Sequence, residues 1–380
     1  MGMRSSLQMG RVKGIPIKIH ISFLFILPFF ALVFGFTFVP DLFGFRLGFG
    51  DLPLDWPGKL GLGLIAAVLF FSAVLLHELA HSIVALRRGY QISGITLFIF
   101  GGVSEIEKQP KEALGEGFMA FVGPATSFVI GVVLLPFWLL LREETGLVSV
   151  IVATMFSMMS FYNILLAGFN IIPAFPMDGG RVLRSALAKR MGFIPATRIA
   201  VAVGKAIAVA MAIFGFFFNI WLILIALFIY FGAKEEERST LVGKALEGVT
   251  VGNIMTRELS VVTPNMTVRE LLDKIMREKH MGYPVMDGDR VVGIVTLQDA
   301  QGVPASHHYD TEIRSIMSRN IIAVSPDTPA EDAIQMIARQ QVGRLLVMEG
   351  ERLVGIVSRS DLIRTLEIRS MEQGIATGRG

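Results

Sequence analysis

The pentapeptide HELAH at residues 77–81 sets two imidazoles and a carboxylate within little more than one helical turn. Residues four apart on a helix share a face, one turn above the other. His77 and His81 can therefore reach a single zinc ion at ordinary bond lengths. Glu78 lies beside them, where a carboxylate can take a proton from water that the metal activates. This is the chemistry of a zinc hydrolase. The alternative is a chance match on a polar helix. Only 6 His occur in the chain, and more than sixteen uncharged residues precede this cluster. Ionisable groups in such a run are costly and require a partner. There is no Cys, so disulfides and thiolate ligands are excluded, and zinc must be held by His and carboxylate.

A catalytic zinc takes three protein ligands and keeps a fourth position open. Asp178 is the only acidic residue between Glu144 and Glu235. Pro173 and Pro176 before it interrupt a helix, and Gly179-Gly180 after it permits a sharp turn. Backbone of this kind can bend a carboxylate toward the metal. Local sequence equally allows Asp178 to cap a following helix, Gly179–Arg190. The ligand reading is preferred because the metal otherwise lacks a partner. Asn170, in the same apolar run, offers a neutral amide to a substrate backbone or a tetrahedral oxyanion, or else an interhelical hydrogen bond. Asn163 is read as that interhelical bond, and Arg181 and Arg184 as interface anchors.

The elements that must position these groups lie in a bilayer. Hydrophobic residues make up 53% of the 380 and charged residues 18%, with a mean hydropathy of +0.60. The net charge of +3 leaves no electrostatic footprint for nucleic acid. The first apolar run is too long for a cleavable signal. Uncharged runs predict spans at Ile21–Pro40, Leu60–Leu86, Phe118–Leu141 and Gly146–Met177. Basic residues cluster at Arg4–Lys18, Arg87–Lys111 and Arg181–Arg198, which places those segments and the N-terminus in the cytoplasm. For the polar C-terminal half to be cytoplasmic too, the stretch 195–233 must cross twice, with its break near Phe218–Asn219. Between the second and third spans, the β-favouring residues from Ile92 to Phe100, followed by Gly101-Gly102, read as a hairpin dipping into the membrane; an interfacial loop is the alternative.

From Lys234–Arg238 (KEEER) onward the chain has the mixed charge of a soluble domain and contains a repeat. A shift of 62 positions lays Ile254-Met255-Thr256-Arg257 on Ile316-Met317-Ser318-Arg319, and Val292–Val295 on Val354–Val357. Helices are expected at Val268–Lys279 and Ala330–Gln341, and turns at Asp287–Asp289 and Glu349–Glu351.

HELAH, followed about 100 residues later by NIIPAFPMDGGR, resembles the site-2 protease family of intramembrane zinc metalloproteases. The resemblance spans residues 10–235. It implies that His77, His81 and Asp178 bind zinc, that Glu78 is the catalytic base, and that Asn170 positions substrate. FGGVSE (Phe100–Glu105) is similar to the family's re-entrant β segment, and Gly123-Pro124 to its third-span motif. Ser127 stands where many members have Asn, a departure that weakens any role for this position. The loop 88–116 is too short for the PDZ domain of some members. The substrate so implied is a transmembrane segment of another protein, unwound and received by an exposed strand edge near Ile95–Phe100. The C-terminal repeat resembles a tandem of CBS motifs, a Bateman module. There Thr296 and Ser358 would contact phosphate, and Asp299 and Asp361 the ribose, of an ATP- or AMP-type adenine nucleotide; capping of the final helices with simple dimerisation is the alternative.

The chain is thus expected to be a polytopic α-helical membrane protein of about six transmembrane helices with a re-entrant β segment, joined to a soluble α/β tandem CBS domain. The expected divisions are a protease domain at 1–235, a linker at 236–246, CBS motifs at 247–303 and 309–366, and a tail at 367–380. Expected partners are a membrane-protein substrate, the lipid bilayer, an adenine nucleotide and a second copy bound through the CBS pair. A CBS-regulated transporter or metal channel is the rival reading. An inactive scaffold is a third, against which the intact HELAH and Asp178 argue.

Overall fold

The computed structural model describes residues 6–37, 44–98, 101–106 and 113–372. Ile99 and Phe100 of the expected β segment, the end of the first expected span and most of the tail lie outside them. The chain divides into two compact units, Met1–Arg238 and Ser239–Gly380.

The first unit opens with a hairpin of β1 (Ser6–Val12) and β2 (Ile15–His20), followed by α1 (Phe23–Phe36) and α2 (Trp56–Arg87). Asp55 caps α2 by accepting the Gly58 N–H at 3.1 Å, and Pro57 sits in the first turn, where its missing N–H has no consequence. At about 1.5 Å per residue α2 is long enough to cross a bilayer with length to spare. Strands β3 (Ile92–Phe98) and β4 (Gly101–Ile106) come next, then α3 (Ala113–Leu141), α4 (Leu147–Ile171), α5 (Asp178–Met191), α6 (Phe193–Phe218) and α7 (Ile220–Ala245).

Four described helices, α2, α3, α4 and α6, are long and apolar enough to span a membrane, while α1 is a shorter apolar helix. The break between α6 and α7 falls on Asn219, where the backbone is extended and the Asn219 side chain accepts the Trp221 N–H at 2.9 Å. The stretch 195–233 is therefore a helical hairpin, as the sequence suggests. The segment 236–246, expected as a linker, instead continues α7 as far as Ala245. Large side chains such as Phe25, Phe128 and Phe216 point outward, while Ala66 and Ala67 are buried. Helices meet through small residues: a Cβ on Gly63 would stand 2.1 Å from the Ala31 carbonyl oxygen. That is how helices associate where lipid removes the hydrophobic drive.

The four strands form one sheet in the order β1-β2-β3-β4. The expected hairpin is present as β3–β4, paired from Ile92↔Ile106 to Phe98↔Gly101. The strand edge expected near Ile95–Phe100 is corrected. Residues Ile95–Leu97 of β3 pair in parallel with Ile17–Ile19 of β2, so β3 is internal. The edges are β1 and β4. The N-terminal hairpin is an element beyond those expected, set in a segment whose cations mark it as cytoplasmic by charge. The alternation of Ile15, Ile17 and Ile19 with Pro16 and Lys18 is a strand pattern.

The second unit contains α8 (Val251–Ile254), α9 (Val268–Glu278), β5 (Gly282–Asp287), β6 (Arg290–Thr296), α10 (Leu297–Gln301), α11 (Ile313–Ile316), β7 (Ala323–Val324), α12 (Ala330–Gln340), β8 (Arg344–Glu349), β9 (Arg352–Ser358) and α13 (Arg359–Glu372). The repeats match in detail. α9 and α12 end on left-handed residues, Lys279 and Gln341, and the hairpin turns place Gly288 and Gly350 at φ 60° and 62°. Each repeat also lends its opening segment to the other. Thr256 bridges Ile356, and Ser318 bridges Ile294. Met255 packs in the core around Val324, Leu345 and Val357, whereas Met317 packs on the core around Val262, Val285 and Val295. A Cβ on Gly293 would lie 2.8 Å from the Ser318 carbonyl oxygen and 2.9 Å from Met317 Sδ. Gly293→Val is expected to destabilise this unit by ~1–3 kcal/mol, the usual cost of overpacking. Thermal unfolding of the full chain checks it, and an unchanged transition would refute the interlock.

Candidate active site

Three side chains from two separated helices converge at HELAH. His77 and His81 face the same way from α2, and Asp178 is the first residue of α5. Asp178 Oδ2 lies 3.2 Å from His77 Nε2 and 3.1 Å from His81 Nε2. Donors about 2.1 Å from one tetrahedral zinc stand about 3.4 Å apart, so this spacing suits a shared ion. Among the described residues these three form the one cluster of His and carboxylate groups able to hold a metal.

The far side of each imidazole is also held. His77 Nδ1 is 2.9 Å from Ser127 Oγ, and His81 Nδ1 is 2.7 Å from the Met119 carbonyl oxygen. A carbonyl only accepts, so His81 carries its proton on Nδ1, which leaves the Nε2 lone pair able to bind a metal. Ser127 is fully buried. Its contact with His77 gives it a part that the resemblance did not predict.

A third residue of α3 leaves the space. A Cβ on Gly123 would stand 2.1 Å from His81 Nε2 and 2.7 Å from His77 Nε2. Glycine here keeps open a volume that any side chain would fill. Met119, Gly123 and Ser127 are spaced at i, i+4 and i+8, one face of α3 turned toward the imidazoles. That periodicity was available in the sequence, but the departure from Asn at 127 masked it.

Glu78 leans toward β4. Its Oε2 accepts a hydrogen bond from Ser104 Oγ at 2.9 Å. A Cβ on Gly102 would lie 2.5 Å from Glu78 Cγ, so the carboxylate rests directly against the strand backbone. Strand β4, an edge of the sheet among the described residues, thus lies beside the Glu78 carboxylate.

Other expected residues fall elsewhere. Asn170 is on the last turn of α4, where its amide donates to the Leu166 carbonyl at 3.0 Å. Asn163 donates to the Met159 carbonyl at 2.7 Å within its own helix, which corrects the interhelical bond expected for it. Arg184 is not an interface anchor. It is 1% exposed and paired with Glu116 and Glu236. In the second unit, Thr296 and Ser358 head α10 and α13 in matching capping boxes. Their hydroxyls donate to Asp299 Oδ2 at 2.7 Å and Asp361 Oδ2 at 2.6 Å.

An HExxH helix, a distant aspartate and an apolar helical surround define a membrane-embedded zinc metalloprotease. The family model for Peptidase family M50 matches residues 65–151 and 140–211, and that for the CBS domain matches 251–303 and 313–368. Zinc metalloprotease MJ0392 of Methanocaldococcus jannaschii is 34% identical over 98% of this chain and 99% of its own. Putative zinc metalloprotease Rip3 of Mycobacterium tuberculosis is 30% identical over 98% and 95%. The solved Site-2 Protease from Methanocaldococcus jannaschii shares 35% identity over 61% of this chain and 95% of that one, with a TM-score of 0.42. The chain belongs to Peptidase family M50, the site-2 proteases, and carries a tandem CBS pair.

Gly123→Ala provides a sharp test of the metal pocket. Alanine suits a helix interior, so the protein should fold, yet its methyl group would occupy the space between the imidazoles. Elemental analysis of purified variant is expected to show zinc far below that of wild type; equal zinc would mean the metal does not sit there.

Proposed function

We propose that the chain is a zinc endopeptidase that cuts transmembrane segments of other membrane proteins, with an adenine nucleotide at the CBS pair as its regulator. The convergence of His77 Nε2, His81 Nε2 and Asp178 Oδ2 beside Glu78 carries this reading.

His77, His81 and Asp178 hold the zinc. Bound there, zinc supplies an activated water and a Lewis acid for the scissile carbonyl. Glu78 takes the proton of the attacking water on its carboxylate. It then delivers that proton to the departing amine as the C–N bond breaks and the new C–O bond remains on the acyl product. Ser104 steadies Glu78 by donating to Oε2, which leaves Oε1 to address the water. Ser127 and the Met119 carbonyl fix the two imidazole planes. Asn170, one apolar turn before the Pro-rich break, offers its amide to the substrate backbone. Glu78→Gln keeps the shape and removes the base. It is expected to retain one zinc per chain while cleavage of a single-span substrate falls by at least ~10²-fold. Cleavage near the wild-type rate would end the peptidase reading and favour a transporter.

A peptide bond inside a helix is shielded by its own hydrogen bonds, so the substrate must be extended at the zinc. The free edge of β4 beside Glu78 is suited to receive it by strand addition. Proline introduced singly along Gly101–Ile106 removes one N–H at a time. Loss of cleavage at alternate positions, with zinc retained, is expected. Full cleavage at every position would remove strand addition from the account.

The nucleotide is proposed to bind where Thr296 with Asp299 and Ser358 with Asp361 stand at strand-to-helix turns. A hydroxyl and N-terminal amides suit phosphate, and a carboxylate suits a ribose diol. The N-terminus and the CBS pair are assigned to the cytoplasm, where such nucleotides are found, and the pair to a homodimer. Calorimetric titration with AMP and with ATP is expected to show binding that weakens in the Asp361→Asn variant. Absence of heat with both ligands would leave the two pairs as helix caps alone.

A further inference from the structure

Arginine is almost never fully buried unless it is paired, yet Arg184 of α5 is 1% exposed, the largest fully buried side chain among the described residues. Its Nε and Nη2 fork onto the Glu116 carboxylate of α3, with Nε 3.2 Å from Oε2. Its Nη1 donates to Glu236 Oε1 of α7 at 2.9 Å. The rings of Phe175 and Phe193 flank the guanidinium, with centroids 4.8 and 4.7 Å from its central carbon. One side chain therefore joins α3, the α4–α5 connection, α5, the start of α6, and α7.

Two of these contacts lie next to the metal-binding groups. Glu116 is one helical turn before Met119, whose carbonyl holds His81. Phe175 is three residues before Asp178. Between them, α3 and α5 are in close contact, since a Cβ on Gly117 would lie 2.5 Å from Ser185 Oγ. A planar fork held by two carboxylates, with two aromatic rings in contact, fixes direction as well as distance, which an ammonium cannot do. Buried ion pairs contribute little net stability, because desolvation offsets their attraction. What such a cluster supplies is a single geometry.

We propose that Arg184 is the positioning residue for Asp178, and that Glu236 on α7 sets how firmly the carboxylate is presented to the metal. The inference rests on the reading of Asp178 as a zinc ligand. It makes α7 a lever on the metal centre: a shift of Glu236 loosens α5 and lowers zinc affinity without touching any ligand.

The test measures zinc dissociation constants by chelator competition on the full chain in detergent. It compares wild type with Glu236→Gln, Arg184→Lys and a control, Lys205→Met. The control breaks the neighbouring Lys205–Glu237 pair, 3.0 Å long, which joins α6 to α7 without reaching α5. Glu236→Gln and Arg184→Lys are expected to bind zinc more weakly by about 10-fold, the lower end of what loss of a group bonded directly to a ligand costs, because both act through intervening residues. Lys205→Met should bind as wild type does, with thermal unfolding showing that each variant folds. Should Arg184→Lys fail to fold, Glu236→Gln decides alone. Wild-type affinity in Glu236→Gln, or equal weakening in Lys205→Met, overturns the proposal. A wild-type chain that holds no zinc would instead overturn the ligand reading beneath it.

Discussion

The Asp178 carboxylate meets the His77 and His81 imidazoles among apolar helices, at 3.2 and 3.1 Å, and groups of this kind are costly in such surroundings unless they are paired. That requirement organises the first unit. Asp178 reaches the imidazoles only because α4 stops at Ile171 and a six-residue break turns the chain before α5 begins. Small residues on α3 then make the room. Gly123 leaves the space between the imidazoles open, and Ser127 and the Met119 carbonyl take up the ring nitrogens that face away from it. A helix with larger residues on this face would still span a bilayer but would close the space between the imidazoles.

Much of this was legible from residue types. HELAH, the lone acidic residue Asp178, the break at Asn219 and the repeat all leave local signatures: spacing, scarcity of charge, a polar residue at a turn, and a shift that aligns without gaps. The features that escaped depend on pairing across long separations. The two N-terminal strands show their alternation, but nothing local says that β2 lies beside β3, and that neighbour makes β3 internal and β4 an edge. Arg184 reads locally as one more cation beside a membrane. Only the positions of Glu116 and Glu236, 68 and 52 residues away, make it a buried clamp. Met255 and Met317 align as equivalent residues, yet the alignment does not reveal that each packs on the other repeat.

The exchange between repeats has a consequence for the second unit. Because each core is completed by the opening segment of the other repeat, the two motifs pack as one body. The capping boxes sharpen this. Asp299 and Asp361 already accept the backbone N–H and the hydroxyl of Thr296 and Ser358 through a single oxygen, Oδ2. A ribose would have to use the other oxygen or open the cap. Opening it exchanges a helix cap, about 1 kcal/mol, for ligand contacts, so binding and the order of α10 and α13 would be coupled.

The metal centre and the strand edge answer opposite demands at one glutamate. As the proposed base, Glu78 would have to stand beside the His77–His81–Asp178 cluster, which draws it into the helices. It must also stand close to an extended substrate, and extended backbone in a membrane is tolerated only where protein pairs it. Gly102 reconciles the two. With no Cβ, β4 can lie directly against the Glu78 side chain, and Ser104 of the same strand then holds the carboxylate. Under the proposed strand addition, substrate paired with β4 would lie beside Glu78 because the same strand positions that carboxylate. A shift of β4 away from α2 would remove the Ser104 hydrogen bond from Glu78, so the sheet positions this carboxylate as much as its own helix does.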